Sequence, residues 1–593
     1  MENIEIARLF DETAALLEID AADPFRIRSY RRAAEAVEQQ TTRLDALVAS
    51  DSKQLLSIPG IGKGMAANIC LLVETGAMPL RTELLTKYKA TMLDLLKLPG
   101  MGPKTVALVW SALGVSDIDS LEAAAREGKL AGLPRMGEKF ATKLLKGIED
   151  HRRNSGRFRV DNAQDQAERI STLIRAFPGI DQITPAGSLR RGRESVGDLD
   201  LLVTGPACEP DVVAAAVEHV ATLPLIDKLL ARGQNKVSFT LRNNLQVDVR
   251  LLPRASYGAA LQYFTGSKMH NVALRQRAIK RGLTLSEYAL LRLEDNVIVA
   301  AASEEEIYRA LDLEYIAPEL RENCGEIEAA AASFSKADTG GLPQLIELSD
   351  IRGDLHMHTD ATDGRDTIRQ MAEAALARGL AYIAITDHSK NLAMTNGLDD
   401  ARALAHVRRI REVDREMQAE YGGRFRILPG IEVDILADGS LDLEDETLAE
   451  MDVVVASVHS HFNQPSEEMT ARVLRALENP HVRILGHPTG RKILSREPYA
   501  IDIEQVLQRA AQLGVAVEHN ASPARADLSD LHLRRAKEIG CKIVVNTDAH
   551  ATEELDQMRY GITQLRRAWL ISGDVLNTLP TAEALLAQLR PKP

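Results

Sequence analysis

The chain has 593 residues, enough for several domains. Hydrophobic residues at 45% and charged residues at 26% are ordinary for a soluble protein, and aromatics at only 4% leave the cores mostly aliphatic. A net charge of −13 excludes a chain that is basic throughout, so contact with nucleic acid would need local basic patches. The cysteines Cys70, Cys208, Cys324 and Cys541 are far apart, which argues against a disulfide framework or a thiolate zinc site and fits a reducing cytosol. The opening Met1-Glu2-Asn3-Ile4-Glu5 lacks the basic-then-apolar pattern of a signal peptide. No apolar run approaches the ~20 residues that span a bilayer, so a cytoplasmic location without membrane contact is expected.

Residues 1–150 read as amphipathic helices broken by a recurring glycine turn. Ile58-Pro59-Gly60-Ile61-Gly62-Lys63-Gly64 leads into Met65-Ala66-Ala67-Asn68-Ile69, and Leu98-Pro99-Gly100-Met101-Gly102-Pro103-Lys104 into Thr105-Val106-Ala107-Leu108. A weaker copy reads Leu133-Pro134-Arg135-Met136-Gly137-Glu138-Lys139. Glycine permits positive φ and close backbone approach. The amides that open the next helix, beside its positive dipole end, suit a phosphate. A plain helix cap followed by another helix is the simpler alternative, but two good copies favour phosphate contact at Gly60, Gly62, Gly100, Gly102 and Lys104. The third copy, with Arg135 at the glycine position, reads as structure rather than as a phosphate site. The copies resemble helix-hairpin-helix motifs, which implies a grip on the nucleic-acid backbone without reading of base sequence.

Further along, Gly187-Ser188-Leu189-Arg190-Arg191-Gly192 precedes Gly197-Asp198-Leu199-Asp200-Leu201-Leu202-Val203. The second stretch predicts a strand with Asp198 and Asp200 on one face and Leu199, Leu201 and Val203 toward the core. Leu245-Gln246-Val247-Asp248-Val249-Arg250-Leu251 predicts a partner strand that carries Asp248. Converging carboxylates repel one another, and bound divalent cations would offset that cost. Hard oxygen ligands suit Mg²⁺ or Mn²⁺, and a pair of such ions can activate an attacking oxygen and stabilise a leaving phosphate. The Gly-Ser turn and Arg191 supply donors for a polyphosphate. Solvent-exposed acids on a strand pair are the alternative; the turn and the third aspartate together weigh against it.

With Tyr263-Phe264-Thr265-Gly266-Ser267 added, these residues resemble a family X DNA polymerase over 1–320. The resemblance implies that Asp198 and Asp200 bind both metals and that Asp248 binds the catalytic one and helps activate the primer 3′-hydroxyl. It also implies nucleotide contact at Gly187, Ser188, Arg191, Gly197 and Gly266, with Tyr263 and Phe264 against the sugar. Asn271 and Arg275 match positions near the base and the template. Repair members of the family carry lysines after the first hairpin, one of which forms a Schiff base with a deoxyribose-phosphate. Those positions read Gly64 and Asn68 here, so lyase activity is expected to be weak or absent. Two basic runs are expected to meet DNA phosphates: His151-Arg152-Arg153-Asn154-Ser155-Gly156-Arg157-Phe158-Arg159, and the group Lys268, Arg275, Arg277, Lys280 and Arg281.

Eleven of the fourteen histidines follow residue 350. Apolar runs there end repeatedly in metal-capable residues, as in Ile383-Ala384-Ile385-Thr386-Asp387-His388, Val453-Val454-Val455-Ala456-Ser457-Val458-His459 and Ile484-Leu485-Gly486-His487. Asp354-Leu355-His356-Met357-His358 puts two histidines on one face, and further runs end at Glu432, at Glu518-His519-Asn520 and at Asp548-Ala549-His550. Seven short strands separated by helical stretches predict a βα barrel, whose chemistry gathers at the C-terminal strand ends. Residues 352–570 resemble a PHP domain (polymerase and histidinol phosphatase). The resemblance implies nine metal ligands at His356, His358, Asp363, His388, Glu432, His459, His487, Asp548 and His550, holding up to three Mn²⁺ or Zn²⁺ ions and hydrolysing phosphoesters. Glu432 is the natural bridge between ions; His461 and His519 fall outside the set. Arg491 is a weak candidate for a substrate phosphate.

The expected architecture is multidomain α/β. A helix-hairpin-helix domain spans 1–85 and a second, DNA-binding one 86–150. A nucleotidyltransferase-type α+β palm follows at 151–255, then a nucleotide-selection subdomain at 256–320, a linker at 321–350, a (β/α)7-like PHP barrel at 351–575 and a tail at 576–593. The expected function is a gap-filling DNA repair polymerase with a 3′–5′ exonuclease or 3′-end-processing phosphodiesterase. Its partners would be gapped or primer-template DNA and deoxynucleoside triphosphates, and it would work as a monomer at the nucleoid. Two other readings are a barrel that acts as a small-molecule phosphomonoesterase and a non-enzymatic DNA-end scaffold. The intact Asp198, Asp200 and Asp248 argue against the scaffold.

Overall fold

The computed structural model describes residues 3–589 except 39, 41–43, 90, 97, 99, 135, 154–155, 337–339 and 393–394. The chain divides into two compact units, Met1–Gly156 and Arg157–Pro593. The first is helical among its described residues: Asn3–Ile19 packs on Pro24–Glu38 around Ile6, Phe10 and Tyr30. The recurring turn takes one form three times. Ile61 N–H donates to Ile58 O at 3.1 Å, Met101 to Leu98 O at 3.1 Å and Met136 to Leu133 O at 3.2 Å. Helices Lys63–Thr75, Pro103–Leu113 and Glu138–Arg153 follow the turns. Gly60 and Gly100 have φ of +98° and +80°, in the left-handed region that glycine enters without a Cβ penalty. Pro99 and Arg135 of these turns, and Asn154, Ser155 and Thr339, lie outside the described residues.

The second unit opens with a five-stranded sheet in the order Gln182–Pro185, Asp198–Thr204, Gln246–Leu252, Lys236–Leu241, Ile226–Arg232. Asp198–Thr204 and Gln246–Leu252 run parallel, and the other neighbours are antiparallel. Leu199, Leu201 and Val203 are buried, as their alternation with the aspartates predicts. Helices Tyr257–Thr265 and Lys268–Ile279 lead to a three-stranded sheet of Leu283–Leu285, Leu290–Arg292 and Ile298–Ala300. Much of the stretch expected as a linker, 321–350, is instead packed among its described residues. Helix Glu326–Phe334 places Ile327 and Ala330 in one core with Ala259 and Tyr308. A buried ion pair and a buried hydrogen bond anchor this stretch, Arg321 to Glu304 at 2.5 Å and His270 Nδ1 to Glu326 at 2.7 Å.

Then seven parallel strands lie side by side in sequence order: Gly353–Asp354, Tyr382–Ile385, Arg426–Asp434, Val453–Ser457, Ile484–Leu485, Ala516–Asn520 and Ile543–Asn546. Met357 bridges to Ala549, and His358 N–H donates to Ala549 O at 2.8 Å, which brings the last strand back to the first. The barrel is nearly closed, and buried aliphatic side chains fill it. The expected tail contributes to that core: helix Ala582–Gln588 packs Leu585 with Tyr382, Leu428 and Val455. Among the described residues no helix is long and apolar enough to cross a membrane.

Candidate active sites

Two sites with different ligand chemistry lie in the second unit. In the first, the parallel register sets Asp200 opposite Asp248, with Asp198 on the same strand face as Asp200. Burial, with Asp198 and Asp248 adding repulsion, pushes the Asp200 carboxyl up to about 7, offset only in part by Arg250 and Lys236. Ser238 donates its hydroxyl to Asp248, and Lys236 Nζ lies 3.2 Å from the same carboxylate. Gly187 begins the short helix Gly187–Arg190, where an added Cβ would lie 2.9 Å from Asp200 Oδ2. Only a glycine brings this turn, with Ser188, so close to the acids.

The arginines of the turn are already engaged. Arg190 forks onto Glu304 at 2.9 and 2.7 Å, while Arg191 pairs with Glu322 at 3.1 Å and donates to Thr265 O. Tyr263 and Phe264 meet edge to face, with ring centroids 5.0 Å apart. Arg275 lies 5.3 Å from the Tyr263 ring centroid and Arg250 4.2 Å from that of Phe264. Asn271 donates to Tyr263 O at 2.7 Å and accepts from Gln262 at 2.7 Å, which fixes the aromatic pair from behind. Gly197 precedes the acidic strand, and Gly266 ends the helix that carries Tyr263.

The second site lies at the C-terminal strand ends of the barrel, and all nine of the expected ligands reach it. Three groups of side chains each bring one ligand atom apiece within 4.8 Å of one another: His358, Asp363, His388 and His550; His356, His358 and Asp548; and His388, Glu432 and His459. His487 Nε2 joins at 3.0 Å from Glu432 Oε1. Glu432 is central, since its Oε2 lies 2.9 Å from His388 Nδ1 and its Oε1 3.3 Å from His459 Nε2. Asp363 and His550 are each 30% exposed, so the site opens to solvent on their side.

The charge distribution fits a cation. Buried atoms His356 Nε2, His358 Nδ1, His459 Nε2 and Glu432 Oε2 have no hydrogen-bond partner, a costly arrangement unless they ligate an ion. Burial, together with the neighbouring His388 and His550, holds the His358 imidazole down to about 4, hence neutral as a ligand must be. Burial opposes charge on His459, but Glu432 and Asp434 outweigh it and raise the ring to about 9, so a bound ion would take the place of that proton between the ring and Glu432. Against its own burial, Glu432 is held well below the usual carboxylate range by His459, His356 and His388. These residues fit divalent metal.

Family models match in chain order: a helix-hairpin-helix domain over 1–78, a SAM-like helix-hairpin-helix tandem over 92–150, a DNA polymerase beta thumb over 260–322 and a PHP domain over 354–521. Over 590 residues the chain is 39% identical to the DNA polymerase/3'-5' exonuclease PolX of Bacillus subtilis (strain 168), covering 99% of each. The chain belongs to the PolX family. Probable phosphatases of Thermoanaerobacter sp. (strain X514) and Syntrophotalea carbinolica are 31% and 29% identical over 236 and 239 residues. That is 38% of this chain and 89% and 92% of theirs, and the likeness lies in the PHP part.

In this PolX member acids to which sequence reading gave no role hold several of the histidine rings. Glu518 accepts from His356 Nδ1 at 2.8 Å and from the His487 N–H at 2.7 Å. Asp434 lies 3.2 Å from His459 Nδ1, and Asp387 accepts from His406 Nε2 at 2.8 Å and from the Thr359 N–H at 2.8 Å. Such partners set ring orientation and tautomer. The available signal was an acid one or two residues from a ligand in the same run, as at Asp387-His388 and Glu432-Val433-Asp434.

Several of the basic residues expected to meet phosphates have partners within the protein. Arg491 is partly buried, paired with Glu194 and bonded to Ala526 O. Arg277 donates to Leu311 O at 2.7 Å, and Arg281 pairs with Asp312 at 3.0 Å. Arg159 pairs with Asp161 at 2.6 Å. Each finds an acceptor within the protein, as Arg191 does. His519 is likewise structural, with Nδ1 2.7 Å from Leu528 O.

Proposed function

We propose that this chain is a DNA repair polymerase that fills short gaps with template-directed deoxynucleotides, and that its barrel is a 3′–5′ exonuclease or 3′-end-processing phosphodiesterase. The observation that carries the reading is the presence in one folded unit of the aspartate cluster and the nine-ligand centre, in a chain similar over its whole length to a polymerase/exonuclease. Asp198, Asp200 and Asp248 would hold Mg²⁺ or Mn²⁺, and the barrel ligands up to three Mn²⁺ or Zn²⁺. Bound divalent ions supply the positive charge that favours in-line attack at phosphorus.

The chain's own residues do the rest. Asp248, oriented by Ser238, faces the primer 3′-hydroxyl and helps activate it. Ser188, Arg191 and the amides of the Gly187 turn hold the triphosphate, as Gly197 and Gly266 allow its close approach. Tyr263 and Phe264 lie against the sugar and crowd a 2′-hydroxyl, while Asn271 and Arg275 hold that pair in place beside base and template. The hairpins at Gly60, Gly62, Gly100, Gly102 and Lys104 grip the DNA backbone. In the barrel, Glu518 and Asp434 hold His356 and His459 in ligating orientation, and DNA enters past Asp363 and His550.

An extension and degradation assay on gapped DNA with the intact chain tests this. Primers should lengthen with nucleotides present and shorten from the 3′ end without them. The probable-phosphatase relatives favour a second reading, in which the barrel takes small phosphomonoesters. DNA ending in a 3′-hydroxyl would then stay intact while such esters are cleaved.

A further inference from the structure

The turn that carries Ser188 and Arg191 is held from outside the polymerase half. Helix Met558–Arg567 of the barrel lies directly against it. Gln564 Nε2 donates to Gly192 O at 2.7 Å, and Arg567 Nη1 donates to Arg191 O at 2.7 Å. Gly192 leaves no room for a Cβ against Thr563 of that helix. Arg567 is only 3% exposed and is fixed at its other edge by Asp530 at 2.8 Å.

The same guanidinium reaches the acid that holds Arg191. Glu322 Oε1 lies 3.1 Å from Arg191 Nε and 3.1 Å from Arg567 Nη1, with Arg193 at 3.9 Å. Glu322 is 12% exposed and its carboxyl is held low: burial opposes its charge, but Arg567 and Arg191 outweigh it. A nucleotide triphosphate that draws Arg191 away would leave a buried carboxylate short of a partner, at considerable cost. Arg567 removes most of that cost because it stays on Glu322.

We propose that Arg567, a barrel residue outside the set of expected metal ligands, is a positioning residue for nucleotide binding in the polymerase half. It fixes the backbone at Arg191 and keeps Glu322 neutralised when Arg191 turns to the triphosphate. The inference rests on the reading that Arg191 binds the nucleotide.

The test uses the full chain on gapped DNA and measures KM and kcat for deoxynucleotide incorporation, with metal-dependent hydrolysis followed in parallel. Arg567→Gln should raise the nucleotide KM about tenfold or more, with kcat and hydrolysis within about threefold of the parent. Arg567→Lys, which keeps the charge beside Glu322, should recover much of the loss. In an Arg191→Ala background, Arg567→Gln should add little further change in KM. Gln564→Met, which removes the donor to Gly192 O, should shift KM in the same direction and serves if Arg567→Gln does not fold. An unchanged KM in folded Arg567→Gln or Gln564→Met, or full additivity with Arg191→Ala, overturns the proposal. A parent chain that incorporates no nucleotide instead overturns the polymerase reading itself.

Discussion

His356 Nδ1 lies 2.8 Å from the carboxylate of Glu518, and this contact aims Nε2 of the same ring toward Glu432 and Asp548, 3.4 and 3.6 Å away. Glu518 is fully buried and also accepts from Asn546 Nδ2 at 2.9 Å and from the His487 N–H at 2.7 Å, so both of its oxygens are held. An orienting carboxylate of this kind typically governs metal affinity by about 10–100-fold. Glu518→Gln should therefore weaken Mn²⁺ or Zn²⁺ binding by about that factor and depress hydrolysis, while nucleotide incorporation stays at parent level. Metal titration followed by elemental analysis of the dialysed protein checks it, and unchanged retention would count against the role.

The two chemistries should separate by mutation. Asp200→Ala removes an acid that stands opposite Asp248 and should cut incorporation by about 10³-fold or more while leaving hydrolysis largely intact. His356→Ala or Asp548→Ala should do the reverse. If either change abolished both activities in a folded protein, two independent sites would be untenable.

The raised Asp200 carboxyl sets a pH dependence. With its value at about 7 in the fold against 3.8 ordinarily, the folded state holds a proton that the unfolded chain has released across that interval. Its contribution to stability is full below about pH 4 and is lost as pH rises through about 7. Asp200→Asn should thus raise the melting temperature of the chelator-treated protein at pH 8 and leave it unchanged near pH 4. Thermal unfolding scans at the two pH values decide, and equal effects at both would contradict the assignment.

Gly187→Ala should damage the polymerase site locally. The new Cβ would press on Asp200 Oδ2 from 2.9 Å, at a φ of +59° that costs a non-glycine residue about 1–2 kcal/mol. Incorporation should fall sharply and hydrolysis persist. Single-turnover incorporation together with a melting curve separates this from unfolding.

Lys104 is exposed on the first turn of the helix that follows the second hairpin. Lys104→Ala should weaken binding of gapped DNA regardless of sequence and lower the slope of log affinity against log salt by about 1. Fluorescence anisotropy across a salt series measures both, and an unaltered slope would remove Lys104 from the contact. Borohydride trapping on a deoxyribose-phosphate substrate should give little product, because Asn68, bonded to the Tyr30 hydroxyl at 2.9 Å, is no amine nucleophile.

Much of this protein is legible in the chain itself, for local reasons. Alternation with period two set Leu199, Leu201 and Val203 inward and so grouped Asp198 with Asp200. The glycine turns recur within short windows, and the barrel strands announce themselves as apolar runs ending in metal-capable residues, so seven strands could be anticipated, while the resemblance to a PHP domain supplied the nine side chains that converge. What the chain could not reveal was the partner of each charged side chain. Glu518 meets His356 from 162 residues away, and Arg567 meets the Arg191 carbonyl from 376 away. A guanidinium such as that of Arg491 or Arg281 has the same sequence signature whether or not a carboxylate of the fold, here Glu194 or Asp312, already accepts from it. The packed stretch after Arg321 and the final helix were read as linker and tail because short, alanine-rich segments carry little periodicity. Their burial comes from surfaces supplied by distant strands and helices, which only the tertiary structure assembles.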